Sequence, residues 1–135
     1  MNLPVALVEA LRQQARDAAR NAYAPYSRFA VGAAVLTDKG EIYSGANIEN
    51  ASFGLSICAE RNAIFHAVAR GARKIVAVAV YTKTPQATTP CGACRQVLAE
   101  FGRDALVICF TDIEAAEQRH SLAELLPRPF GPESL

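Results

Sequence analysis

Cys58-Ala59-Glu60-Arg61-Asn62-Ala63-Ile64-Phe65-His66-Ala67-Val68-Ala69-Arg70-Gly71, followed shortly by Ile75-Val76-Ala77-Val78-Ala79-Val80-Tyr81, is the stretch on which the fold turns. Ala63, Ile64, Ala67 and Val68 recur at helical spacing and Gly71 stands where a helix stops, so Cys58–Arg70 is expected to be a helix. The unbroken, valine-rich run 75–81 reads as a strand buried on both faces. The alternation then repeats. Pro90-Cys91-Gly92-Ala93-Cys94 opens a second helix, expected over Gly92–Phe101 with Ala93, Val97, Leu98 and Phe101 inside, and Ala105–Thr111 is another apolar strand.

Upstream, Phe29–Thr37 and Glu41–Ile48 flank Asp38-Lys39-Gly40 as a hairpin. The small residues Gly32, Ala33 and Ala34 imply that a helix or a ligand packs very close to the first of these strands. An amphipathic helix over residues 4–22 comes before them, with Leu7, Val8, Leu11, Ala15, Ala18 and Ala22 on its apolar stripe and Pro4 at its start. Leu122–Leu126 reads as a short helix, and Pro127, Pro129 and Pro132 leave the last residues irregular. Strand–helix–strand–helix–strand across residues 41–111 requires crossover connections. Residues 1–135 are therefore read as one α/β domain with helices on both faces of a mixed sheet.

The 135 residues are 51% hydrophobic and 20% charged, the balance of a globular chain. Fourteen Lys and Arg against thirteen Asp and Glu give a formal charge of +1. That argues against a polyanionic nucleic acid as main partner and for a small or neutral substrate. No apolar run approaches the ~18 residues of a membrane span, and no signal peptide is evident. Four cysteines without an export signal point to a reducing compartment, where metal binding is favoured over disulfides; the expected location is the cytoplasm.

Cys58, Cys91 and Cys94 have metal-ligand spacing. A structural zinc site takes four protein ligands, whereas a catalytic one takes three and leaves a position for water. Residues two apart within a helix point in nearly opposite directions, so Cys58 and Glu60 can serve one site only if Cys58 lies at the helix start. There the helix N-terminus also favours the thiolate. Cys91 and Cys94, three apart at the start of the next helix, put their sulfurs on one face. Glu60 is then the proton carrier, against the plainer reading of a first-turn carboxylate that complements the helix dipole. Three thiolates on Zn²⁺ leave a formal −1 charge, which Arg61, favoured over Arg95, could offset by hydrogen-bonding sulfur. Cys109, in an apolar strand, reads as a small buried hydrophobe; as a fourth ligand it would close the site. His66 and His120 lack ligand spacing.

Cys58-Ala59-Glu60 with Pro90-Cys91-Gly92-Ala93-Cys94 resembles the signature of the zinc-dependent nucleoside and nucleobase deaminases. More narrowly, the chain is similar to the short, homotetrameric cytidine deaminases, through Ala24-Pro25-Tyr26-Ser27, Phe29, Val31-Gly32-Ala33, Asn47-Ile48-Glu49-Asn50, Cys58–Arg61, Pro90–Val97, Leu125-Leu126-Pro127 and Phe130. The resemblance implies a three-layer α/β/α fold with a five-stranded mixed sheet, one zinc per subunit on Cys58, Cys91 and Cys94, and Glu60 shuttling protons. It implies that Asn47 and Glu49 bind the ribose hydroxyls, that Phe29 packs on the pyrimidine, and that the Ala59 backbone contacts the base. Phe130 is expected to reach a neighbouring subunit's site, so that the active sites of a homotetramer are shared. A first ligand of Cys in place of His is the pattern of the branch acting on free nucleosides. The implied reaction is hydrolytic deamination of cytidine and deoxycytidine, with blasticidin S as the nearest competing substrate and a non-catalytic zinc module as the competing class. One departure stands out: Phe53 occupies a position where relatives often carry Tyr, and it is left out of the site.

Overall fold

The computed structural model describes residues 2–135. Helix α1 spans Val5–Ala19 and buries Val8, Leu11, Ala15 and Ala19. The stripe therefore runs through Ala19, not through the expected Ala18 and Ala22. The helix also ends three residues early. Residues 20–22 close it with turn bonds, and the Tyr23 amide leaves to donate to the Asn47 carbonyl.

Strand β1 (Val31–Thr37) pairs antiparallel with β2 (Ile42–Ala46) and with β3 (Ile75–Thr82). The Asp38-Lys39-Gly40 turn is present, with Gly40 at a φ of 81° that a side chain resists. Helix α2 (Ala59–Ala69) leads into β3, and α3 (Gly92–Phe101) into β4 (Leu106–Phe110), which lies parallel to β3. A fifth strand, β5 (Gln118–Ser121), pairs antiparallel with β4. Its residues have no apolar alternation, and the sequence reading had no strand there. Ser121 then caps α4 (Leu122–Leu125) by accepting a hydrogen bond from the Glu124 amide, while Glu124 accepts from the Ser121 amide.

The sheet order is β2-β1-β3-β4-β5, a five-stranded mixed sheet between two helical layers. On one side α1 covers Ala34, Leu36, Ala77, Ala79, Ile108 and Phe110. On the other, α2 and α3 cover Ala33, Val35, Val78, Val80, Val107 and Cys109. The close approach implied at Gly32 is made by α1, since a Cβ there would overlap the Ala15 carbonyl oxygen. Gly45 of β2 does the same for α2: a Cβ would sit 2.8 Å from the Asn62 carbonyl carbon and 2.9 Å from the Ala59 oxygen. α3 buries Cys94, Leu98 and Ala99. Val97 and Phe101 are half-buried and Ala93, expected inside, is exposed, because Cys94 takes the inward direction.

Both β2 and β3 run antiparallel to β1, so they are parallel to each other, and the helices that follow them start beyond the same end of the sheet. The loop entering β1 and the loop leaving β2 reach that end too. In open α/β sheets this is where ligands bind. No helix among the described residues is long and apolar enough to cross a membrane.

Candidate active site

Cys58 is the N-cap of α2, with extended backbone at φ −69° and ψ 156°. Cys91 is the N-cap of α3 at φ −67° and ψ 169°. Neither helix start has a side-chain cap. The first-turn amides of both helices are thus left to act on whatever occupies the space between them, with the positive end of each helix dipole behind them. Cys94, one turn into α3, faces the same space. The Sγ–Sγ separations are 3.8 Å for Cys58–Cys91 and 3.5 Å for Cys91–Cys94, and all three sulfurs lie within 4.8 Å of one another.

Three thiolates bound tetrahedrally at about 2.3 Å from one zinc would stand about 3.8 Å apart, so this donor set fits that ion. Cys109 is not in the group. It sits fully buried in β4, paired across the sheet with Val80 and Gln118, its thiol pushed up to about 12 by burial. Three donors leave one coordination position open, which is the arrangement for chemistry and not for a closed structural site.

Arg61 Nη2 donates to Cys58 Sγ at 3.4 Å, while its Nε is buried without a partner. Arg95, by contrast, points away from the sulfurs, donating to the Pro90 carbonyl, the Leu125 carbonyl and Thr89 Oγ1. The Cys58 thiol is drawn down to about 5, first by the Cys94 thiol and then by Arg61 and Cys91. Hydrogen bonding to Cys58 and burial push Cys94 the opposite way, so Cys58 is the first of the pair to ionise. Glu60 lies in the first turn of α2, 7% exposed. Burial raises its carboxyl to about 6, with the Cys58 charge adding to the effect, so that both protonation states are accessible near neutrality.

A second group of residues is stapled to the first. Ile48 and Ile57 exchange backbone hydrogen bonds of 3.0 and 2.9 Å, fixing the Asn47–Asn50 segment to the residue before Cys58. Tyr23 brackets the same segment, donating to the Asn47 carbonyl and accepting from the Glu49 amide. Asn47 Oδ1 accepts from the Val31 amide at 2.9 Å and its Nδ2 donates to the Phe29 carbonyl at 2.7 Å. These bonds explain why β1 begins at Val31 instead of Phe29 and β2 ends at Ala46 instead of Ile48. Glu49 Oε1 accepts from the Tyr26 and Ser27 amides, and Oε2 from the Ser27 hydroxyl, which hold the carboxyl below its usual range. No local spacing connects Glu49 with Tyr26 and Ser27, which lie 23 and 22 residues before it. The Phe53 ring meets Tyr26 edge-on, centroids 5.9 Å apart, and lines the same cleft as Glu49.

Phe29, Asn47, Glu49, Ala59 and Glu60 are thus gathered with the cysteines at one end of the sheet. Phe130 is not. Its segment lies over the other end of α3, where it lines a cleft with Ala99, Phe101 and Gly102.

A three-thiolate cluster at paired helix starts, with a buried carboxylate in one first turn, defines a zinc-binding enzyme of the hydrolytic type on an α/β/α frame. The sequence profile of the cytidine and deoxycytidylate deaminase zinc-binding region matches residues 6–110, and the chain belongs to that family. It is 44% identical over 128 residues to a cytidine deaminase of Sporosarcina psychrophila, covering 95% of this chain and 94% of that one. To a cytidine deaminase of Halalkalibacterium halodurans it is 46% identical over 125 residues, covering 93% and 95%. Among solved structures, the cytidine deaminase of Burkholderia pseudomallei superimposes with a TM-score of 0.85 at 44% identity, over 90% of this chain and 98% of that one. That of Mycobacterium tuberculosis gives 0.78 at 40% identity, over 92% and 97%.

Proposed function

We propose that the chain is one catalytic domain over residues 1–135 that hydrolyses cytidine and deoxycytidine to uridine and deoxyuridine with release of ammonia. The observation that carries this reading is the convergence of three sulfurs and the buried Glu60 on two helix starts. Cys58, Cys91 and Cys94 would hold one zinc ion, which when bound supplies a coordination position where water is made acidic enough to react near neutral pH. Glu60 would take a proton from the attacking water and deliver it to N3 of the pyrimidine as the water oxygen adds at C4. It then carries a proton to the departing amino group, so that ammonia leaves and the C4 carbonyl forms. Arg61 disperses the excess negative charge of three thiolates. Phe29 packs on the base, the Ala59 backbone contacts it, and Asn47 and Glu49 take the ribose hydroxyls. Asn47 and Glu49 are pre-oriented for this by their bonds to the 26–31 backbone.

We place Phe130 in the nucleoside site of a neighbouring copy, within a homotetramer. What supports this is its exposure of 60% and its distance along α3 from its own cysteines, together with exposed Ile48, Phe53 and Leu55 near the site mouth. Four unpaired cysteines support residence in the cytoplasm.

The test is the loss of ultraviolet absorbance as cytidine becomes uridine, with a chelator control and deoxycytidine and blasticidin S in parallel. Zinc-dependent turnover of cytidine is expected. Zinc-loaded protein that leaves cytidine and deoxycytidine intact refutes the reading, and turnover of blasticidin S alone replaces it with the competing substrate.

A further inference from the structure

Phe130 is displayed by a set of polar fasteners and not by apolar packing. Its ring is largely exposed above a cleft of about 640 Å³ at the end of α3. Pro127 and Arg128 before it are exposed as well. Behind it, the Arg103–Glu133 ion pair, 2.6 Å long, closes across Gly131, where a Cβ would overlap the Arg103 guanidinium and stand 2.6 Å from a Glu133 carboxylate oxygen. Ahead of it, Arg95 Nη1 holds the Leu125 carbonyl at 2.9 Å. At the aromatic residue itself there is a single tie. Gln96 Nε2 donates to the Phe130 carbonyl at 2.7 Å, and among the described residues this is the hydrogen bond that the Phe130 backbone makes.

We propose that Gln96 is a positioning residue for the nucleoside site of the neighbouring copy: it fixes where α3 presents the Phe130 ring. This rests on the reading that Phe130 completes a neighbour's site. Gln96 lies two residues beyond Cys94 on the same ten-residue helix, and the adjacent Arg95 holds the Pro90 carbonyl just ahead of Cys91. The presented ring is therefore referenced to the metal-bearing helix of its own chain while serving another chain's substrate. The ring belongs to binding and not to the proton transfers, so loss of the tie falls on KM and spares kcat. A neutral hydrogen bond contributes an amount that corresponds to about 2–10-fold in an equilibrium constant.

The experiment compares wild type, Q96M, F130A and the double variant as zinc-loaded assemblies of equal size by light scattering. Q96M keeps the length of the side chain and removes the donor. The expected result is a KM for cytidine raised about 2–10-fold in Q96M with kcat within about twofold of wild type. No further rise should appear on adding Q96M to F130A, and Q96K, which restores a donor of similar reach, should return KM towards wild type. A wild-type KM in Q96M beside a raised KM in F130A overturns the positioning role and leaves the shared site standing. A Q96M effect undiminished in the F130A background overturns it as well. A wild-type KM in F130A refutes the shared-site reading, and the proposal with it. If Q96M misfolds, Q96E, with the same outline and no N–H to give, is judged by the same criteria.

Discussion

On one face of the sheet Gly32 lets α1 approach until its Ala15 carbonyl would overlap any Cβ; on the other, Gly45 admits α2 just as closely. The packing problem and its solution are the same, yet the α1 layer buries aliphatic side chains with Phe110 and Tyr81, whose hydroxyl donates to Asp112, while the α2–α3 layer buries Glu60 and Cys94. The difference lies in where the helices begin. α1 precedes the sheet and enters it from Pro4, with no donor set at its start. α2 and α3 follow parallel strands, so their N-termini meet at one end, each with a cysteine in the cap position. Chemistry on this frame is a matter of which helix ends coincide, and the second face is left to supply stability.

Five substitutions would break or sharpen that contrast. The largest effect is expected from Cys91→Ala: zinc affinity should fall by more than the roughly 100-fold that loss of a supporting partner costs, and turnover with it. Zinc at wild-type stoichiometry, read by metal analysis after dialysis, would refute the ligand assignment. Glu60→Gln should lower kcat by about 10²–10⁴-fold while zinc content and melting temperature hold, and retained turnover would remove Glu60 from the proton pathway. Arg61→Gln should weaken zinc binding about 10–100-fold by withdrawing the donor from Cys58, measured by competition with a chromophoric chelator. The last pair is the most telling for the two faces. Gly32→Ala and Gly45→Ala should each cost about 1–3 kcal/mol in denaturant unfolding. Only Gly45→Ala, which displaces the first turns of α2, should also lower kcat per folded molecule. Equal kcat losses in both would mean that the faces are not separable.

The helices and central strands were legible because their signals are local. Gly92–Phe101 falls where expected, and Cys58 sits at the one position from which it and Glu60 can share a site. The edges of the elements were not. β1 and β2 are cut short by a carboxamide, since Asn47 takes up the Phe29 carbonyl and the Val31 amide from sixteen to eighteen residues away. On α3 Leu98 faces inward as expected, but Cys94 and Ala99 share that face in place of Ala93, because Cys94 is one of the buried side chains of the helix as well as a candidate ligand. Glu49's partners at 26 and 27 and Gln96's at 130 are likewise long-range pairings, invisible to any periodicity. β5 escaped because Gln118-Arg119-His120-Ser121 carries no hydrophobic pattern; it is a strand by virtue of the β4 edge it completes.

That short polar strand also bears on how the protein keeps from aggregating. An unpaired sheet edge is a template for any passing extended chain, and a long apolar one invites fibrils. Here the β5 border is four residues long, includes the cationic Arg119, and turns at once into the capped helix at Leu122. Copies of this chain find little there on which to extend the sheet from one molecule to the next. That leaves the helical and loop surfaces, and not a continuing sheet, as the places where two copies could meet.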